Sequence, residues 1–176
     1  MNDHLGVPTL LGIPFDGESS YLRGAGDAPA KIRAALRSDA CNMWTELGLD
    51  LAAAGAFEDA GDLEFIERHA SPAEGEHPRS SPNCRRAVPP TTEQIFAAIE
   101  DRVGSLIDAG RRPVLLGGDH SITFPIVKAF GRNRRGQPSS RTGLTIFHFD
   151  AHPDLYGGEP AVACVSVCAD HGGRVG

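Results

Sequence analysis

Arg111-Arg-Pro-Val-Leu-Leu-Gly-Gly-Asp-His-Ser-Ile-Thr-Phe-Pro-Ile-Val-Lys-Ala-Phe130 is the stretch that decides the fold. Its apolar core, Val114-Leu115-Leu116, reads as a strand that stops at Gly117-Gly118. Residues Ser121 to Phe130 then read as a helix capped by Asp119 or Ser121, with Ile122, Ile126, Val127 and Phe130 on its apolar face. A polar connection over 131–142 leads to Leu144-Thr145-Ile146-Phe147-His148-Phe149, a second apolar run expected to be a buried strand. Strand, helix and strand in that order predict a parallel βαβ unit with a right-handed crossover, and so an α/β fold. Two polar motifs, at 117–121 and 150–154, would then lie past the carboxyl ends of parallel strands, where open α/β sheets place their ligands.

Outward from that unit, Thr91 and Thr92 offer an N-cap, and Ile95, Ile99, Val103 and Leu106 recur at helical spacing until Gly110. Residues 9–15, Thr-Leu-Leu-Gly-Ile-Pro-Phe, predict a short buried strand that runs into a glycine-rich loop over Asp16 to Gly26. Asp27 and Pro29 signal a helix start, with Ile32, Ala35 and Leu36 expected on the inner face of the helix. Ala56 to Glu67 fits a turn beside either a short strand or a short helix. Residues 69–90 are rich in Ser, Pro, Arg and Glu with almost no large apolar side chain, and are expected to form a disordered surface loop.

The 176 residues suffice for one domain with its own core. A net charge of −6 argues against nucleic acid or an anionic membrane surface as partner. No apolar run reaches the roughly 18 residues of a membrane span, and Met1-Asn2-Asp3-His4 does not resemble a signal peptide, so a cytoplasmic location is expected. Cys41, Cys84, Cys164 and Cys168 are too few and too irregular for a disulfide framework.

The chemistry concentrates in Asp150-Ala151-His152-Pro153-Asp154. Alternate positions of an extended segment face one side, so Asp150, His152 and Asp154 present three ligand-capable groups together. Carboxylates this close need a cation or dense hydrogen bonding to compensate them. With His120 across the βαβ unit, the set becomes two imidazoles and two carboxylates without a thiolate. That composition suits Mn²⁺, with Fe²⁺, Co²⁺, Ni²⁺ or Zn²⁺ as alternatives. For each residue taken singly, a helix cap, a turn or a core histidine is the plainer reading.

Gly117-Gly118-Asp119-His120-Ser121 and Asp150-Ala151-His152-Pro153-Asp154 resemble the first two signature motifs of the ureohydrolases, the family of arginase, agmatinase and formimidoylglutamase. Residues 10–36, with Leu-Gly-Ile-Pro-Phe-Asp-Gly, Arg-Gly-Ala-Gly and Ala-Pro-Ala-Lys-Ile-Arg, are similar to that family's N-terminal segment. Asp59-Ala60-Gly61-Asp62 resembles its Asp-x-Gly-Asp turn. The resemblance implies a three-layer α/β sandwich around a mainly parallel sheet. It implies that His120, Asp150, His152 and Asp154 are four of six ligands to a binuclear Mn²⁺ centre, Asp150 bridging. A metal-bridging hydroxide would attack the carbon of a small guanidino substrate such as agmatine or arginine, releasing urea and an amine. Asp119 would stand behind a ligating imidazole as hydrogen-bond acceptor, Ser121 could cap the next helix, and a homo-oligomer would be in keeping.

The family's third motif, Ser-x-Asp-x-Asp, has no counterpart up to Gly176, so the resemblance covers an N-terminal part and the C-terminal part is missing. Low activity is therefore expected of this chain alone. Residues 157–176 are atypical: Cys164, Cys168 and His171 fall short of the four ligands of a structural zinc site. Residues 162–172 can be encoded by a message that, read one base later, gives Ser-His-Ala-Cys-Pro-Phe-Ala-Arg-Ile-Met-Glu, similar to the segment that follows the second motif in agmatinases. A frame slip between about Tyr156 and Val162 is the corresponding expectation, and it favours agmatinase-like chemistry. Two rival readings are a non-catalytic fragment or pseudoenzyme with residual metal binding, and a single-zinc, deacetylase-like amide hydrolase.

Overall fold

The computed structural model describes residues 6–65, 68–69, 87–134, 144 and 146–150. In chain order its elements are β1 (Pro8–Gly12), α1 (Ala28–Leu36), β2 (Glu58–Asp62), β3 (Arg68–His69), β4 (Ala87–Val88), α2 (Thr92–Asp108), β5 (Arg112–Leu116) and α3 (Thr123–Arg134). Short 3₁₀ turns over Ala25–Asp27 and His120–Ile122 lead into α1 and α3.

Three strands form a parallel sheet in the order β2-β1-β5. β1 takes the centre because its residues can be buried on both faces: Thr9, Leu10 and Leu11 are all buried. Pairing with β5 runs without a break from Pro8 opposite Arg112 to Gly12 opposite Leu116. Pairing with β2 slips by one residue between Leu10 and Gly12, where β2 carries an extra residue at Gly61, whose φ of 75° suits glycine.

Helices cover both faces. Leu11, Ile13 and Phe15 point to one side and pack with Ile95, Ile99, Val103 and Leu106 of α2 and with Ile122 and Ala129. Burying each large aliphatic side chain there contributes about 2 kcal/mol. Gly12 faces the other side, where Arg33 of α1 and Asp62 pass so close that a Cβ would collide with them. The result is the expected three-layer α/β arrangement, α1 on one face, α2 and α3 on the other.

α2 follows its sequence periodicity. Thr91 accepts a hydrogen bond from the Gln94 N–H, the Gln94 side chain accepts from the Thr91 N–H, and the four predicted apolar positions are buried.

Three expectations are corrected. The inner face of α1 is Pro29 and Arg33 with Leu36 half-buried beside them, whereas Ile32 and Ala35 are exposed. Arg33 is drawn in by Asp59 and Asp62, a polar attraction that apolar periodicity does not register. Residues 69–90 are not loop at their described ends, where Arg68–His69 pairs antiparallel with Ala87–Val88, and 70–86 lie outside the described residues. The run Leu144 to Phe149 is not a buried strand at the described positions: Leu144 is half-buried, whereas Phe147 is 82% and Phe149 96% exposed. An apolar run becomes a buried strand only where a neighbour satisfies its backbone and both faces are covered. Among the described residues β5 pairs with β1 alone, so the βαβ unit predicted around α3 is not closed there. Parallel crossovers are instead made from β1 through α1 to β2 and from β2 through α2 to β5.

Candidate metal centre

At the carboxyl end of β5 the chain turns sharply through Gly117-Gly118 into the 3₁₀ turn and α3. Gly118 lies against the backbone of Phe15, and a Cβ there would run into the Phe15 carbonyl oxygen. This contact lets the Asp119 N–H donate to that same oxygen at 2.9 Å. The last residue of the β1 excursion and the first residue of the His120 turn are thereby joined.

Asp119 makes the junction firmer. Its Oδ1 accepts from the Ser121 N–H at 3.0 Å and from the Ser121 hydroxyl, capping the turn. Its Oδ2 accepts from the Glu18 N–H at 2.9 Å and the Ser19 hydroxyl at 3.4 Å. Glu18 in turn accepts from the Thr92 hydroxyl at 2.7 Å, tying the loop to the start of α2. The far end of that loop is closed by Asp16, whose carboxyl is held below its ordinary pKa by the N–H groups of Gly24 and Gly26.

Asp119 thus caps a helix and anchors a loop. The hydroxyl beside His120 is that of Thr123, 3.3 Å from Nδ1. Ser121 is buried, and its hydroxyl serves Asp119.

His120 of the first polar motif and Asp150, the one described residue of the second, come together. One ligand-capable atom from each of His120, His148 and Asp150 lies within 4.8 Å of the others. The His120 and His148 rings are parallel within 1°, their centroids 5.2 Å apart. Nε2 of His148 is 3.6 Å from Oδ2 of Asp150. His152 and Asp154 lie outside the described residues. Imidazole nitrogen and carboxylate oxygen converging at this spacing fit a borderline divalent cation. His148 and Thr123 were not singled out from the sequence. The signal for His148 was present, since it occupies the same alternation as Asp150, His152 and Asp154.

A helix-flanked parallel sheet with a His and carboxylate cluster beyond a strand's carboxyl end makes this an α/β protein with a candidate metal site. The arginase family profile matches residues 8–167, and the chain belongs to the arginase family. It is similar to the mitochondrial arginase of Medicago truncatula, 33% identical over 149 residues, which is 84% of this chain and 37% of that one. It is also similar to the agmatinase of Bacillus subtilis (strain 168), 29% identical over 154 residues, 86% of this chain and 42% of that one. Among solved structures, an arginase from Medicago truncatula superposes with a TM-score of 0.64 at 30% identity, covering 86% of this chain and 41% of the other. The chain thus spans roughly two-fifths of the length of these relatives. No helix among the described residues is long and apolar enough to cross a membrane.

Proposed function

We propose that the chain carries part of a manganese-dependent site for hydrolysing a small guanidino compound of the agmatine or arginine type, with His120, Asp150, His152 and Asp154 as metal ligands. The convergence of His120 and Asp150 from motifs thirty residues apart carries this reading, because a structural role for either would not require their meeting. The arginase and agmatinase similarities support guanidino hydrolysis as the reaction class. A manganese pair bound there would supply a nucleophile at neutral pH and polarise the guanidinium carbon.

The chain's own residues prepare that chemistry. Gly118 lets the His120 turn close onto Phe15, Asp119 locks the turn to the loop over Glu18 and Ser19, and Thr123 orients the His120 ring from Nδ1. A second reading is a chain that holds metal without catalysis, for which the convergence of His120, His148 and Asp150 would suffice.

Urea release from agmatine and from arginine, measured alongside Mn²⁺ stoichiometry, separates the two. Two Mn²⁺ equivalents with slow urea release support the hydrolase; one weak equivalent without urea supports metal binding alone.

A further inference from the structure

We propose that His148 is a positioning residue of the metal site, a flat wall against the His120 ring and an electrostatic brace for Asp150, and is not itself a ligand to the ion that His120 holds. The inference rests on the reading of His120 and Asp150 as ligands.

These two residues reach the site on segments that no strand ladder joins among the described residues: His120 on the turn after β5, Asp150 at the end of 146–150. Something other than sheet register must set their separation. His148 touches both, with its ring stacked parallel to His120 at 5.2 Å and its Nε2 3.6 Å from the Asp150 carboxylate. That second distance is too long for a hydrogen bond yet short enough for the N–H dipole or charge to attract a carboxylate.

Stacking also decides against ligation. A ligating imidazole holds its ion in the ring plane, along the nitrogen lone pair. Two parallel, stacked planes share no point, so one ion cannot lie in both. His148 therefore acts through its neighbours: it limits rotation of the His120 ring and holds Asp150 near it. Groups of this kind behind a metal site typically alter affinity by about tenfold or more when removed.

The test uses the full 176-residue chain, with Mn²⁺ titrations followed by the electron paramagnetic resonance of free Mn²⁺ and with Co²⁺ absorption spectra. His120→Ala and Asp150→Ala should abolish binding, which checks the underlying reading. His148→Ala should weaken Mn²⁺ about tenfold. His148→Phe, which restores a flat ring without a donor nitrogen, should recover most of that loss and leave the Co²⁺ bands where the unsubstituted chain has them.

His148→Phe as weak as His148→Ala, with shifted Co²⁺ bands, would make His148 a ligand and overturn the proposal. Parent-like affinity in His148→Ala, with binding lost in His120→Ala and Asp150→Ala, would overturn the proposal alone. Parent-like affinity in those last two variants, or no binding by the unsubstituted chain, would remove the reading beneath it and the proposal with it.

Discussion

Arg33 meets Asp59 edge-on: Nε donates to Oδ2 at 2.9 Å and Nη2 donates to Oδ1 at 2.9 Å. The remaining donors reach Asp62 and the Gly61 carbonyl, the latter at 2.8 Å, so one guanidinium fastens α1 across β2. This fork is available to arginine and not to lysine. Arg33→Ala should destabilise the fold by about 3 kcal/mol, because it leaves two half-covered carboxylates facing each other. Arg33→Lys should recover only a minority of that loss. Urea denaturation of the three proteins checks both statements.

The same contact sets an acid limit. The hydrogen bond from Arg33, opposed by burial and helped by the Gly61 N–H, holds the Asp59 carboxyl below its ordinary pKa. A carboxyl depressed on folding contributes its full stabilisation above the unfolded value of about 3.9 and loses it as pH falls through the lower folded value. Stability should therefore decline below pH ~4, and Arg33→Ala should make that decline shallower. Denaturation midpoints collected from pH 6 down to pH 2 report the difference.

Where burial was apolar, the sequence was readable. Ile95, Ile99, Val103 and Leu106 declare α2 through periodicity and the Thr91 to Gln94 box. Where backbone or charge does the holding, it was not. Glu58-Asp-Ala-Gly-Asp62 is polar and largely exposed, and it is a strand because its backbone pairs with β1 and Arg33 grips its carboxylates. Arg33 hid the true face of α1 for the same reason. At the candidate site, His120 and Asp150 were legible as motif residues, whereas Thr123 enters through the local geometry of the turn, three residues from His120, and Glu18 through the approach of segments distant in sequence.

Asp119 holds two things with two oxygens, and an amide can hold only one of them. In Asp119→Asn the remaining carbonyl can keep the Ser121 cap, but the NH₂ would face the Glu18 N–H, which cannot reverse its role. Asp119→Asn should cost about 1 kcal/mol, with faster amide hydrogen exchange confined to residues 17–19. Asp119→Ala should cost about 2 kcal/mol, having lost the cap as well. Exchange mass spectrometry distinguishes a released loop from a generally loosened fold.

Gly118 is a steric requirement. A methyl group there meets the Phe15 carbonyl oxygen, which is backbone and cannot swing away as a side chain would. Gly118→Ala should push the Asp119 turn off Phe15, breaking the 2.9 Å bond from the Asp119 N–H and displacing His120 from Asp150. Divalent-cation affinity should fall by about tenfold or more, while α2 keeps its helical signal. Mn²⁺ titration with circular dichroism on the same samples tests the split; unchanged affinity would show that the turn tolerates the shift.

Phe147 and Phe149 present a different vulnerability. Both are almost fully exposed, Ile146 and Val114 are partly so, and β5 offers an edge that no described strand covers. Two exposed aromatic rings and an open parallel edge each favour association, since the edge supplies unpaired N–H and C=O groups and the rings supply apolar area. The 176-residue chain should self-associate with rising concentration and bind a hydrophobic dye. Phe147→Ser with Phe149→Ser should reduce both effects without lowering the denaturation midpoint, because neither ring is packed in the core. Sedimentation velocity over a concentration series decides it: identical mass distributions for the parent and the double variant would place the sticky surface elsewhere.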